Sequence, residues 1–182
     1  YIVMAEANQA FDTLATLSGK YNNSARWLPE QEDIAPTRKV VCFSLMGVNL
    51  AMALEELTEI LELPQCTRLP RVKHWVWGVA NLRGRLLPVV NLAEFLGGRL
   101  TSPRKLHRVL VVDLRGVFVG LVVDQVYGMR NLQVDKFQRK PEGIPKIFSP
   151  YAEGGFYQED DTWILLRPGK LQSDPRFMEV AA

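Results

Sequence analysis

From Arg38 onward the apolar residues fall in short dense runs, and glycine or proline cuts each run from the next. Val40–Leu45, Val48–Ala53, Trp77–Leu82, Arg85–Asn91, Arg108–Leu114, Val117–Val123 and Trp163–Leu166 are rich in Val, Leu and aromatic side chains. Such residues suit a pleated surface that is buried on one or both faces, and each run has the length of a strand. Three pairs of runs are joined by an x-Gly step, at Met46-Gly47, Arg83-Gly84 and Arg115-Gly116. Glycine supplies the positive φ of a two-residue turn, so each pair predicts a β-hairpin. Pro64, Pro70, Pro103, Pro141, Pro145 and Pro150 lie between runs, where a missing N–H interrupts no ladder. Two segments read as helical, Leu54–Leu57 and Leu92–Leu96, the second stopped by Gly97-Gly98. The pattern predicts an all-β fold with short helices, arranged as small barrels or a sandwich.

Residues 1–37 have another texture. Phe11, Leu14 and Leu17 recur at helical spacing, Ser18-Gly19 supplies a stop, and Tyr21–Pro36 is polar with Trp27 and Leu28 as candidate anchors. An N-terminal helical arm and linker is expected over 1–37, packed on its own domain or offered to a partner. A single β domain is then expected over 38–172, with a C-terminal tail over 173–182.

The β region echoes itself. Leu45-Met46-Gly47-Val48 aligns with Leu114-Arg115-Gly116-Val117 at an offset of 69, and the match continues with Leu50 on Val119, Leu54 on Val123, Glu55 on Asp124 and Leu57 on Val126. Two similar subdomains follow from such a repeat. Each is too small for a generous core, so they bury apolar faces against each other.

Composition narrows the function. The 182 residues are 47% hydrophobic, enough for a core without metals or disulfides. A net charge of +2, from 22 basic and 20 acidic residues, argues against nucleic acid as the main partner. The basic clusters Arg68–His74 and Arg104–Arg108 read as solvated loops. Two cysteines, Cys42 and Cys66, fit a reducing cytoplasm, with Cys42 a small buried hydrophobe and a pairing between the two left open. No signal peptide is recognised, and no run approaches the roughly 18 apolar residues of a membrane span. Tyr1 rather than Met opens the chain, so a segment ahead of it stays open.

Reactive groups are sparse. His74 and His107 sit in basic loops and read as solvated; no HExxH, CxxC, GxSxG, P-loop or GxGxxG is present. Arg108–Asp113 looks like the first strand of a receiver or dinucleotide fold, but Arg115-Gly116 opens another strand, so Asp113 and Asp124 read as strand-end acids. No catalytic residue, cofactor or metal ligand is assigned, and an adaptor is expected in place of an enzyme. The hairpin turn lifts Arg83 off two apolar strands, and a strand over Leu57–Leu61 beside it would let Glu59 hold Arg83 through a bidentate pair.

Three segments carry a family resemblance: FSLMGVNLAMALEELTEILEL (Phe43–Leu63), RLPRVKHWVWGVANLRGRLLPVVNL (Arg68–Leu92) and VLVVDLRGVFVGLVVDQVYGM (Val109–Met129). They resemble the CheW family of chemosensory coupling proteins over roughly Lys39–Leu171. Within the family the chain looks most like the coupling protein of type IV pilus chemosensory systems. The resemblance implies two intertwined five-stranded SH3-like barrels around a shared core. It implies a non-catalytic adaptor, cytoplasmic and recruited to receptor arrays, joining the cytoplasmic tip of a methyl-accepting chemoreceptor to the regulatory domain of a CheA-type histidine kinase. The family's functional strip falls on Leu57, Glu59, Gly78, Val79, Asn81, Leu82, Arg83 and Gly84, with Val123 and Val126 bordering the receptor groove. Departures are the long arm, the Pro- and Lys-rich Lys136–Tyr151 connector and the basic Arg68–Lys73 loop, and a fusion to a receiver domain is not expected. The alternatives are a coupling protein of flagellar chemotaxis, or a small β-barrel that binds nucleic acid where Trp75 and Trp77 lie near Arg71 and Lys73.

Overall fold

Burial on both faces explains why the central runs are almost continuously apolar. The computed structural model describes residues 35–180. The strands are β1 (Thr37–Leu45), β2 (Val48–Ala53), β3 (Leu57–Glu62), β4 (Val76–Leu82), β5 (Arg85–Asn91), β6 (Arg108–Leu114), β7 (Val117–Val123), β8 (Gln125–Gln133), β9 (Phe137–Gln138), β10 (Ala152–Gln158) and β11 (Asp161–Leu166). Single helical turns form α1 (Leu92–Phe95), α2 (Pro168–Gln172) and α3 (Pro175–Met178). Along β6, Val109 and Val111 join one buried cluster while Leu110, Val112 and Leu114 join another. In β7, Val122 faces the first of these and Leu121 and Val123 the second.

The strands make two sheets. One has the order β8-β1-β2-β11-β10-β9 and the other β3-β6-β7-β5-β4. The orders are the same once β8 is matched to β3, β1 to β6, β2 to β7, β11 to β5 and β10 to β4. Each sheet has one parallel pair, β2 with β11 and β5 with β7, in equivalent places. The repeat read from the sequence is therefore real in space, and its two copies exchange strands. The first copy supplies β1 and β2 to one sheet and β3 to β5 to the other; the second copy does the reverse. Even β9 has a counterpart, a lone bridge from Thr67 to Val79 on the outer side of β4. The architecture is the mostly-β, two-barrel fold expected.

Three cores result. Val40, Cys42, Ala51, Leu132, Phe156, Trp163 and Leu165 fill the first sheet's interior, and Ala80, Leu87, Val89, Val109, Val111 and Val122 fill the second's. The largest cluster draws on both sheets, with Phe43, Leu45, Leu50 and Met52 against Leu110, Val112, Leu121 and Val123.

The three predicted hairpins are present, and each first turn residue takes a left-handed backbone: φ is 51° at Met46, 51° at Arg83 and 52° at Arg115. Other expectations change. Leu54–Glu56 is a 3-10 turn, and Leu57 begins β3, because the chain crosses there from one sheet to the other. His107 is not solvated: it is buried, with Nε2 at 2.9 Å from the Ser102 carbonyl, since the turn at Arg104–Leu106 folds it inward. Residues 173–180 carry α3, whose Phe177 is buried against Trp75 at a ring separation of 6.0 Å. Cys42 and Cys66 are both free, and burial pushes the Cys42 thiol up to about 11. The expected helix around Phe11, Leu14 and Leu17 lies outside the described residues.

Candidate partner-binding face

The tip of the β4–β5 hairpin organises the face. Leu82 pairs with Arg85, so Arg83 and Gly84 are the two turn residues. The Asn81 side-chain oxygen accepts the Gly84 N–H at 2.9 Å and fixes the turn. Arg83 Nη2 donates to Glu59 Oε1 at 2.6 Å. The pair anticipated from the sequence thus forms, through one contact instead of two. With the Arg83 side chain 77% exposed, its worth to stability is only about 0–1 kcal/mol, and its effect is to orient the guanidinium.

A bulge makes this pairing geometrically accessible. Between Leu57 and Glu59 the β3–β6 register slips, so Leu57 faces Val112 and Glu59 faces Val111. In an unbroken strand the two residues would share a face. The extra residue shifts the phase: Leu57 packs toward the shared core, while Glu59 turns to Arg83. In β4 the side chains of Ala80 and Leu82 pack into the second interior, so Val79 and Asn81 fall on its opposite side.

Gly78 has a different reason. Its φ is +133°, and a Cβ there would stand 2.1 Å from the Thr67 carbonyl oxygen. Gly78 is buried where Thr67 bridges Val79, whereas Val123 lies in the shared core opposite Arg108, at the end of the sheet away from the Arg83 turn. Val126 is half-buried on β8.

Sequence reasoning missed two features, an apolar contributor to this face and a buried network away from it. Leu86 is 74% exposed beside Arg83, at a pocket of about 240 Å³ that also holds Leu82, Leu87 and Phe118. Arg85 covers the Phe118 ring at 5.1 Å. The alternation Arg85-Leu86-Leu87 carried the signal, because Leu87 is buried and its neighbour is not. Asp124 is the second. Only 1% exposed, it accepts N–H bonds from Met46 at 2.7 Å, Thr101 at 2.6 Å and Ser102 at 2.8 Å. Burial alone would raise its carboxyl, but these donors outweigh burial and hold it below the usual range.

Of the two tryptophans at the basic rim, one is withdrawn into the core and the other is held at its edge. Trp75 is buried against Phe95 and Phe177, and the Trp77 indole N–H donates to Glu94 Oε2 at 3.2 Å.

Residues 39–176 match the family model of the CheW-like domain. The chain belongs to the CheW-like family. Protein PilI of Pseudomonas aeruginosa is 36% identical over 178 residues, covering 98% of this chain and 99% of that protein. The chemotaxis protein CheW of Thermotoga maritima is 33% identical over 59% of this chain and 77% of its own length. Protein FrzA of Myxococcus xanthus is 33% identical over 59% of this chain and 68% of its own. In fold, this CheW-like chain is similar to the scaffolding protein TtCheW of Thermoanaerobacter tengcongensis, with a TM-score of 0.68 at 23% identity, covering 78% of this chain and 96% of that one.

Proposed function

We propose that this CheW-like adaptor serves a type IV pilus chemosensory system. In this reading it joins the cytoplasmic tip of a methyl-accepting chemoreceptor to the regulatory domain of a CheA-type histidine kinase, and so controls twitching motility. The likeness to PilI supports the pilus assignment, because it runs through the N-terminal arm as well as the coupling domain, whereas the likeness to CheW of Thermotoga maritima covers 59% of the chain. Among the described residues no helix is long and apolar enough to cross a membrane, in keeping with recruitment to arrays through partners.

The observation that carries the docking face is the Glu59–Arg83 pair beside exposed Leu86. An apolar anchor next to a held guanidinium is a hot-spot pattern. The proposed strip also takes in Leu57, Gly78, Val79, Asn81, Leu82 and Gly84, with Val123 and Val126 as the border of a receptor groove. Weak single contacts gain strength by avidity in an array.

The test is binding of the purified chain to the regulatory domain of a CheA-type kinase from a pilus system, with Arg83→Ala and Leu86→Ser alongside. Both variants keep the wild-type melting curve and bind at least about tenfold more weakly. Undiminished binding by both folded variants would remove this face from the interface. Tighter binding to a flagellar kinase than to a pilus kinase would reassign the system.

A further inference from the structure

At the far end of β4 from Arg83, the loop between β3 and β4 walls a second concavity of about 850 Å³. Trp77 and Arg83 lie six positions apart, or about 20 Å of strand. Arg68, Lys73 and Arg104 line this cleft, with Leu69, Val72 and Trp77 as its apolar part. Among the described residues none of the three cations pairs with a carboxylate. The carboxylate in the cleft is Glu94, which is engaged by the Trp77 indole.

The wall is fixed at three points. Thr67 and Val79 exchange both backbone hydrogen bonds, at 2.8 and 3.0 Å, across the place where Gly78 lets the chains touch. Trp75 is locked in the core, and its carbonyl accepts from the Asn91 N–H at 2.8 Å. The Lys73 N–H donates to the Val180 carbonyl at 3.0 Å. A preformed cleft binds without first ordering its own loop.

We infer that this cleft docks an extended acidic segment of a partner protein, one bearing at least one apolar side chain. Cations that pair with no carboxylate among the described residues, set around apolar side chains, match alternating carboxylates and hydrophobes. The volume exceeds what a single small anion fills. Nucleic acid fits less well: Trp75 is buried and the net charge is only +2. The cleft is separate from the Arg83 face and stands whether or not that face binds a kinase.

The experiment is fluorescence anisotropy of the full chain with a fluorescein-labelled Glu-Glu-Leu repeat peptide. A Lys-Lys-Leu peptide and a short labelled oligothymidylate serve as comparisons. The acidic peptide binds in low salt, and Arg68→Ser/Lys73→Ser/Arg104→Ser weakens it by about tenfold or more, whereas Arg115→Ser at the exposed β6–β7 turn leaves it unchanged. Should the triple variant melt early, Arg104→Glu alone replaces it. The inference fails if the acidic peptide binds no better than the lysine peptide, or equally to the cleft variant. It also fails if the oligothymidylate binds more tightly than the peptide.

Discussion

Asp124 ties together two loops far apart in sequence, the β1–β2 turn at Met46 and the segment at Thr101 and Ser102. Asp124→Asn leaves these buried N–H groups with a single neutral acceptor, and we expect a loss of about 2–3 kcal/mol in urea unfolding. The folded carboxyl lies below its ordinary value, so its contribution is full above the unfolded value near 4 and falls as pH drops toward the folded one. An acid titration of stability should therefore flatten in Asp124→Asn. Gly78 makes a second residue-scale case. Gly78→Ala sets a Cβ against the Thr67 carbonyl at a left-handed φ, and we expect about 2–4 kcal/mol of destabilisation with faster amide exchange at Thr67 and Val79. A weakened partner interaction in that variant would report a displaced loop, not a lost contact. Arg83 at a turn and Glu59 on a short strand were legible because each is determined locally, whereas their contact joins strands at opposite edges of one sheet and needs a bulge at Thr58. The Asp124 network was not, because its donors come from segments that meet only after folding.

At the scale of elements, the legible strands are those buried on both faces or closed by x-Gly turns. Val48–Ala53, Arg85–Asn91, Arg108–Leu114 and Val117–Val123 were readable to the residue. β8, reading QVYGMRNLQ, and β10, reading AEGGFYQ, lack such runs. β8 lies at a sheet edge with Tyr127, Met129 and Arg130 exposed, and β10 needs Gly154 where β9 crowds it. The bulge at Thr58 was likewise invisible, although its twin occurs on β8, where Tyr127 is the extra residue between Val126 and Gly128. α3 shows how a polar-looking end can be structural. Phe177→Ala removes a ring packed on Trp75 and Phe95, and should lower unfolding free energy by about 3–4 kcal/mol while leaving the Arg83 hairpin untouched.

At the scale of the molecule, exchange of strands between the two copies makes the halves inseparable. β1 and β2 have β8 and β11 as neighbours, and β6 and β7 have β3 and β5. A fragment of residues 36–98 keeps two hairpins but loses the neighbours of both, and we expect it to be unfolded by circular dichroism. In the whole chain, amides of β1 and β6 should lose exchange protection at one common urea midpoint. Separate midpoints would mean that each sheet holds itself together. The offset of 69 gave notice of two copies; the exchange followed only from the family resemblance, since no local pattern says which hairpin a later strand will join.

That exchange also sets a timetable. The parallel partner of Leu50 in β2 is Ile164 in β11, more than a hundred residues further on. At ribosomal speeds the β1–β2 hairpin waits roughly 5–20 s for its neighbour to be made. Through that interval the outer edge of β2 is open to any other nascent strand. The apolar runs that are safest in the finished protein are thus its most vulnerable while it is being synthesised, and crowding of polysomes should harm its yield more than heat harms the completed fold.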